Sequence, residues 1–543
     1  MKKFNFSKKT SLLLLVGVLF LSFSFKSKFF EVAKQIEIYN TLFMELNMYY
    51  VDEINPAELT NKAIKNTLKD LDPYTNFYNE QEVEDARIRR EGEYGGIGVS
   101  VYYTKEGIQI REVYKGFSAD KAALKAGDII VSVEGQSVKN MERDQLSMFL
   151  KGTPKSVFSV EVLRQGKIIE KEIIRDKIVV NPVPFAEMID EETGYLVLTR
   201  FNNKASSEVK KAFRKLKKEG MTKLVFDLRS NPGGSLRESI NISNFFLPKG
   251  KKIVSTKAKV KKWSNTYKGT NNPLDLEIPI VVLVNGRSAS ASEIVSGSLQ
   301  DYDRAVIMGQ RSFGKGLVQR YRELTYGTQL KVTISKYYTP SGRCIQELDY
   351  ANKDKNGKVP KFSDNGINEF KTANGRTVFD GGGVLPDVII KTSKRTEATK
   401  KLLSSRAIFN FATNYFHENL EIESEENFIF KDIDFKSFIK YLKSDSTFVT
   451  KQELLFKEAF KASPNKNISK EYKKIKEKLV NDKIYNVSKN KDILKRVIKE
   501  EIINRYYYKV GVYKHNLKND LVIKEAVLLL QNQEKYKQIL SAK

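Results

Sequence analysis

The spacing of apolar residues changes character along the chain, and each change marks a domain. From 28 to 90 apolar side chains recur at near-helical intervals, with Phe30, Val32, Ile36, Ile38 and Leu42 in the first run, which predicts a helical N-terminal segment. Leu71-Asp72-Pro73-Tyr74 interrupts it with a turn signal. From 91 to 178 short β-rich runs take over, at 98–103, 108–113, 129–133 and 158–164, separated by polar and turn-forming residues. They predict a small β-rich module with one or two helices, one of them at 119–125. From 179 to 390 the pattern alternates. Strands are predicted at 195–201, 224–228, 278–284 and 305–308, with a helix at 205–219 whose Val209, Ala212, Phe213 and Leu216 share one face. The runs at 224–228 and 278–284 are apolar enough to be buried on both sides, as in a parallel sheet. Such alternation implies βαβ crossovers and an α/β core with a mostly parallel sheet, interrupted by a polar insertion at 352–377. Residues 391–543 read as a helical domain. The fold class predicted is therefore α/β and multidomain.

The first 27 residues add an address. Met1 to Lys9 contains four lysines, and an almost unbroken apolar run follows from Ser11 to Phe25. A basic stretch before a short apolar one reads as a signal peptide or signal anchor, so the chain is expected to be exported, to the periplasm or the periplasmic face of the inner membrane. Whether the segment is cleaved or stays as an anchor is left open. One cysteine, Cys344, allows no internal disulfide and no thiolate zinc cluster, and it reads as a packing residue. The two histidines, His417 and His515, lie far toward the C-terminus. No H-E-x-x-H pair exists, and a Ser-His-Asp triad would need a histidine from the tail. No metal and no cofactor are expected. The net charge is +28, and 391–543 carries 33 Lys and Arg against 20 Asp and Glu. No compact nucleic-acid motif accompanies this charge, so it reads as solvated helix faces, with nucleic-acid or membrane-surface binding as the alternative.

Three segments of the α/β region carry candidate chemistry. In Asp227-Leu228-Arg229-Ser230-Asn231-Pro232-Gly233-Gly234 a buried strand ends in paired glycines. Such glycines allow backbone N–H groups to face a cleft, although a plain strand-to-helix turn has the same look. In Ser288-Ala289-Ser290-Ala291-Ser292-Glu293 a serine sits where a strand gives way to a helix. There the positive end of the helix favours developing negative charge; Ser290 and Glu293 also have the spacing of a capping box. In Phe313-Gly314-Lys315-Gly316-Leu317-Val318-Gln319 a lysine lies between glycines beside apolar residues. Burial lowers a lysine's pKa and makes it a usable base. The spacing from Gly309 approximates a phosphate-binding loop, but Gly316 stands where that loop needs a hydroxyl.

Together these segments resemble the C-terminal processing peptidases, or tail-specific proteases, a family of Ser–Lys serine peptidases with a PDZ domain. The resemblance covers about 30–390 and extends to Leu71-Asp72-Pro73-Tyr74-Thr75, Gly95-Gly96-Ile97-Gly98-Val99, Ala126-Gly127-Asp128, Tyr338-Thr339-Pro340-Ser341-Gly342-Arg343 and Gly383-Val384-Leu385-Pro386-Asp387. It implies Ser290 as nucleophile, Lys315 as base and Gln319 as its orienting partner. It also implies an oxyanion hole of the Ala291 amide with that of Gly233 or Gly234. For 91–178 it implies a PDZ module whose Gly96, Ile97, Gly98 and Val99 bind a peptide C-terminus, with Val99 and Leu124 lining an apolar pocket. A Gly-x-Gly turn opening a strand can offer amides to a carboxylate and an edge to an extended peptide.

The expected function is a serine endopeptidase of the cell envelope that cuts proteins near their C-termini. Its expected partners are protein or peptide substrates with free, apolar C-termini, not nucleic acid; a membrane anchor and an oligomer stay open. The alternative is a non-catalytic PDZ scaffold in the envelope.

Overall fold

The computed structural model describes residues 28–541 except 142, 366 and 463–468; residues 1–27, where an export signal is expected, lie outside the described residues. The chain divides into two units, one ending at Phe77 and one beginning at Tyr78. The first holds helices α1 (Lys28–Tyr49) and α2 (Pro56–Lys69). Asn55 caps α2 by accepting the Ala57 and Glu58 amides, and Pro56 at its first position is preset for a helix. The Asp72 carboxylate accepts the Tyr74 and Thr75 amides and the Thr75 hydroxyl, which explains the turn. The helical period of α1 was legible, but Val32, Ile36, Ile38 and Leu42 are all more than half exposed, so that apolar spacing does not mark a buried face.

The second unit opens with α3 (Glu80–Glu91), capped by a reciprocal Asn79–Glu82 box and stopped by Gly92 in the left-handed region. The β-rich module follows: β1 (Glu93–Gly96), β2 (Val99–Thr104), β3 (Gly107–Val113), α4 (Ser118–Lys121), β4 (Ile129–Val133), α5 (Arg143–Leu150), β5 (Val157–Arg164), β6 (Lys167–Ile174) and β7 (Asp176–Val179). Its antiparallel sheet runs β2-β3-β4-β5-β6, and β1 pairs with β7. Strand β2 therefore lies at a sheet edge. The helix expected at 119–125 is a single turn, because Ala123 takes a positive φ of 57° and ends it. Leu124 is only 1% exposed and packs with Ile108, Ile110 and Ile130. It belongs to the module's core.

The α/β core contains β8 (Phe185–Met188), β9 (Thr193–Val197), α6 (Ala205–Lys218), β10 (Lys223–Asp227), α7 (Leu236–Asn244), β11 (Lys252–Ala258), β12 (Ile280–Val284), α8 (Ala291–Asp301), β13 (Val306–Gly309), β14 (Leu317–Glu323), β15 (Gln329–Tyr338) and β16 (Val388–Ile389). The main sheet has the order β8-β9-β10-β12-β13-β16, parallel except between β8 and β9. All five residues of β12 are buried. Ile280, Val282 and Val284 join the cluster that includes Val209, Phe213 and Leu216 of α6, whereas Val281 and Leu283 face the other way.

What covers that second face is the C-terminal domain. Of its helices, α9 (Lys491–Asn519), α10 (Leu521–Gln531) and α11 (Gln533–Leu540) follow one another. Ile523, Ala526, Leu529, Leu530 and Tyr536 pack on Val225, Val281, Leu283, Val306 and Met308. Fully burying each large aliphatic is worth about 1.5–3 kcal/mol, so the last two helices are integral to the core. The 352–377 stretch is more ordered than an insertion loop. Glu369–Lys371 pairs with Thr377–Phe379, and Arg376 is held by Asp303 and Asp387 at 2.5 and 2.6 Å.

Candidate active site

Three strand ends meet at one cavity of about 430 Å³, lined by Ser290, Ala291, Lys315, Gln319, Gly233 and Gly234 among others. The six residues predicted for catalysis are thus brought together. The serine-rich segment resolves into distinct roles. Ser288 donates its hydroxyl to the Leu228 carbonyl at 2.8 Å and Ser292 to the Asn231 carbonyl at 2.9 Å, and both are fully buried. Only the central Ser290 lines the cavity. It stands at the head of α8 with φ 56° and ψ −111°, a conformation that is sparsely populated for a residue with a side chain. Its carbonyl accepts the Glu293 and Ile294 amides and the Tyr337 hydroxyl at 3.2 Å.

The strain is held by Glu293. This carboxylate, fully buried, accepts the Ser290 amide at 2.7 Å and the Lys315 amide at 2.9 Å on Oε2. On Oε1 it accepts the Ser312 hydroxyl at 2.5 Å and the Gly314 amide at 2.6 Å. One side chain therefore ties the backbone of Ser290 to that of the lysine loop. Burial pushes its pKa up, opposed by these hydrogen bonds to the charged form. Its spacing from Ser290 reads as a helix cap, and that local signal hid its reach across 22 residues to Lys315.

The glycine turn is equally determined. Asn231, fully buried, donates to the Leu198 carbonyl at 2.7 Å and accepts the Gly233 amide at 2.9 Å. A Cβ on Gly233, whose φ is +93°, would lie 2.6–2.9 Å from Ala289 O, Ala291 N and Ser290 Cβ, so only glycine fits there. The Gly233 amide is occupied. Among the described residues the Gly234 and Ala291 amides donate to no protein acceptor. Gln319 donates to Thr333 at 3.2 Å on the same wall. Lys315 is half-buried; Leu317 beside it is buried, but Phe313, read as part of its apolar surroundings, is 45% exposed.

Behind the turn, Arg229 is bound by Asp227 at 2.6 Å and by Asp520 of the C-terminal domain at 2.7 Å, and Tyr195 donates to Asp227 at 2.6 Å. Asp520→Ala is expected to leave Arg229 short of an acceptor and destabilise the fold by about 1–3 kcal/mol. Asp520→Asn, which keeps an acceptor oxygen, is expected to lose less. Urea denaturation of both variants checks the order. His417 and His515 do not line the cavity. Cys344 is partly buried, and burial pushes its thiol pKa up.

In the β-rich module Gly98 has φ +78°, and a Cβ there would lie 2.5 Å from that of Phe117. The Ile97 and Gly98 carbonyls accept the Ala119 and Tyr114 amides, each at 2.8 Å. Ile97 is buried in the core, and Val99 opens β2.

The chain matches three family descriptions: Peptidase family S41 over 192–351, PDZ domain over 85–163, and the C-terminal helical domain of a probable PDZ-protease over 398–530. A carboxy-terminal-processing protease of Bartonella bacilliformis is 34% identical over 321 residues, covering 58% of this chain and 73% of that one. The chain belongs to the S41 peptidases. This peptidase is also 33% identical over 303 residues to a probable CtpA-like serine protease of Staphylococcus aureus, covering 55% of this chain and 60% of the relative's length. A solved photosystem II D1 C-terminal processing protease is 26% identical, with a TM-score of 0.36, over 66% of this chain and 88% of that one. The protein is a serine-type peptidase with a PDZ domain and a C-terminal helical domain.

Proposed function

We propose that this peptidase is a C-terminal processing endopeptidase of the cell envelope working through a Ser290–Lys315 dyad. The observation that carries the reading is the meeting of Ser290 and Lys315 with the Ala291 and Gly234 amides in one cavity. Neutral Lys315 takes the proton of the Ser290 hydroxyl, and Oγ attacks the substrate carbonyl carbon. The resulting oxyanion faces the Ala291 and Gly234 N–H groups; Gly234 takes this role because the Gly233 amide is committed to Asn231. Collapse breaks the peptide C–N bond, and Lys315 returns the proton to the leaving amine. Water, deprotonated by Lys315, then attacks the acyl carbon; the C–Oγ bond breaks and Lys315 returns the proton to the Ser290 Oγ, which releases the acid product and restores the enzyme. Gln319 orients the lysine from the same wall.

Substrates reach this site by their C-termini. The Gly96-Ile97-Gly98 turn presents amides to the terminal carboxylate and edge strand β2 pairs with the extended tail. Apolar tails are preferred, and relatives named for C-terminal processing support the reading. Residues 1–27, basic and then apolar, support export.

The test uses an unfolded protein with an apolar tail, as the free acid and as the C-terminal amide. Charge-assisted hydrogen bonds to the carboxylate predict a preference of about tenfold or more for the acid. Gly98→Val should reduce that preference. Equal rates for acid and amide would rule out delivery by the C-terminus.

A further inference from the structure

The lining of the cavity around Ser290 is rich in arginine. Besides Lys315 and Lys331 it exposes Arg89 and Arg90 of α3 and Arg200 from the turn after β9, and no Asp or Glu lines it. The arginines of α3 divide into two kinds. Arg87 is paired with Glu84 and Glu91, whereas among the described residues Arg89, Arg90 and Arg200 have no acidic partner within ion-pair distance. The Arg90 guanidinium lies 4.6 Å from the centre of the Tyr321 ring, and its Nη1 is buried with no hydrogen-bond partner. Burial, and next the charge of Arg89, lower the pKa of Arg200, the sign expected of a cation packed beside another without a counter-ion. Three arginines thus give the cavity that holds the nucleophile a positive lining.

In a polypeptide substrate the group that answers this field is a carboxylate, which the planar guanidinium fork binds through paired N–H bonds. We propose that Arg89, Arg90 and Arg200 form a carboxylate-reading subsite beside Ser290. The enzyme then favours substrates with an acidic side chain, or the free α-carboxylate itself, within a few residues of the scissile bond. This inference rests on Ser290 being the nucleophile of a peptidase, and it adds a selection made at the active site, distinct from that made by the PDZ module.

The experiment uses short internally quenched peptides of one parent sequence. Asp or Glu replaces Asn or Gln at single positions on either side of the cleaved bond, and each peptide is made as free acid and as amide. At least one acidic position, or the free acid, is expected to raise kcat/KM about tenfold, and the gain should shrink as salt rises. In Arg90→Gln and Arg200→Gln the ratio of acidic to neutral peptide should fall toward one. The more exposed Arg89→Gln keeps the test available if a half-buried arginine variant fails to fold. A gain confined to the Asp and Glu series assigns the subsite to side chains; one confined to the acid–amide series assigns it to the terminus. Equal cleavage of all peptides by wild type, with none by Ser290→Ala, overturns the subsite and leaves the peptidase reading standing. A preference that survives in all three arginine variants overturns it too. Cleavage by Ser290→Ala at the wild-type rate overturns the peptidase reading itself.

Discussion

Ser290→Ala and Lys315→Ala are each expected to lower kcat by about four orders of magnitude or more, and the double variant is expected to be no slower than either. Alanine at 290 removes the only atom that can form the acyl bond. Alanine at 315 removes the proton acceptor, and the hydroxyl alone is a poor nucleophile at neutral pH. Lys315→Arg sharpens the test: it keeps the positive charge, but a guanidinium does not lose its proton in a protein. If the lysine acts as a base, the arginine variant is as inactive as the alanine one. Replacing His417 and His515 is expected to leave the rate unchanged, since neither lines the cavity. The readout is steady-state hydrolysis of a peptide, with thermal melting to show that each variant is folded. An active Lys315→Arg enzyme would sink the mechanism.

Glu293→Gln is expected to lower kcat by about two orders of magnitude or more, although it changes one atom. Both carboxylate oxygens are doubly used: Oε1 by Ser312 and Gly314, Oε2 by Ser290 and Lys315. The amide of glutamine has one acceptor oxygen, so its NH2 group must oppose one of these pairs of donors. Each buried donor left unsatisfied costs about 1–3 kcal/mol, and two of them equal roughly two orders of magnitude or more when they displace the Ser290 and Lys315 backbone. Glu293→Asp, which keeps the charge on a shorter arm, is expected to retain more activity. The loss should appear in kcat more than in KM, because Glu293 touches only backbone and Ser312. Wild-type kcat in Glu293→Gln would show that the two loops hold their places without it.

How much of this site was legible follows from what each residue interacts with. Ser290, Lys315 and the glycine pair were legible because each sits in a short, unusual run at a strand end. Glu293 was legible only as the capping-box partner of Ser290, which it is, because the bond visible at three-residue spacing is one of four. Tyr337, which donates to the Ser290 carbonyl, carries no local signal at all; its place comes from β15 pairing with β11 and β14, an antiparallel sheet that the sequence reading did not predict. Arg89, Arg90 and Arg200 looked like ordinary surface charge, since sequence shows that a residue is cationic but not which way it faces.

The sequence by itself determined the local periods: a parallel strand apolar at every position, an amphipathic α6, a serine at the head of a helix, and a lysine between glycines. Those depend on contacts within a few residues, where side-chain volume and backbone conformation decide the outcome. Only the tertiary structure decided which of three serines faces the cavity, which glycine amide is left unbonded, and what buries the far side of the main sheet. The last is the plainest case. Val281 and Leu283 show that β12 must be covered on both faces, but the cover is α10 and α11, more than 200 residues later. Apolar burial is non-directional, so the pattern calls for a partner without naming it; the partner is chosen by the packing of the whole chain.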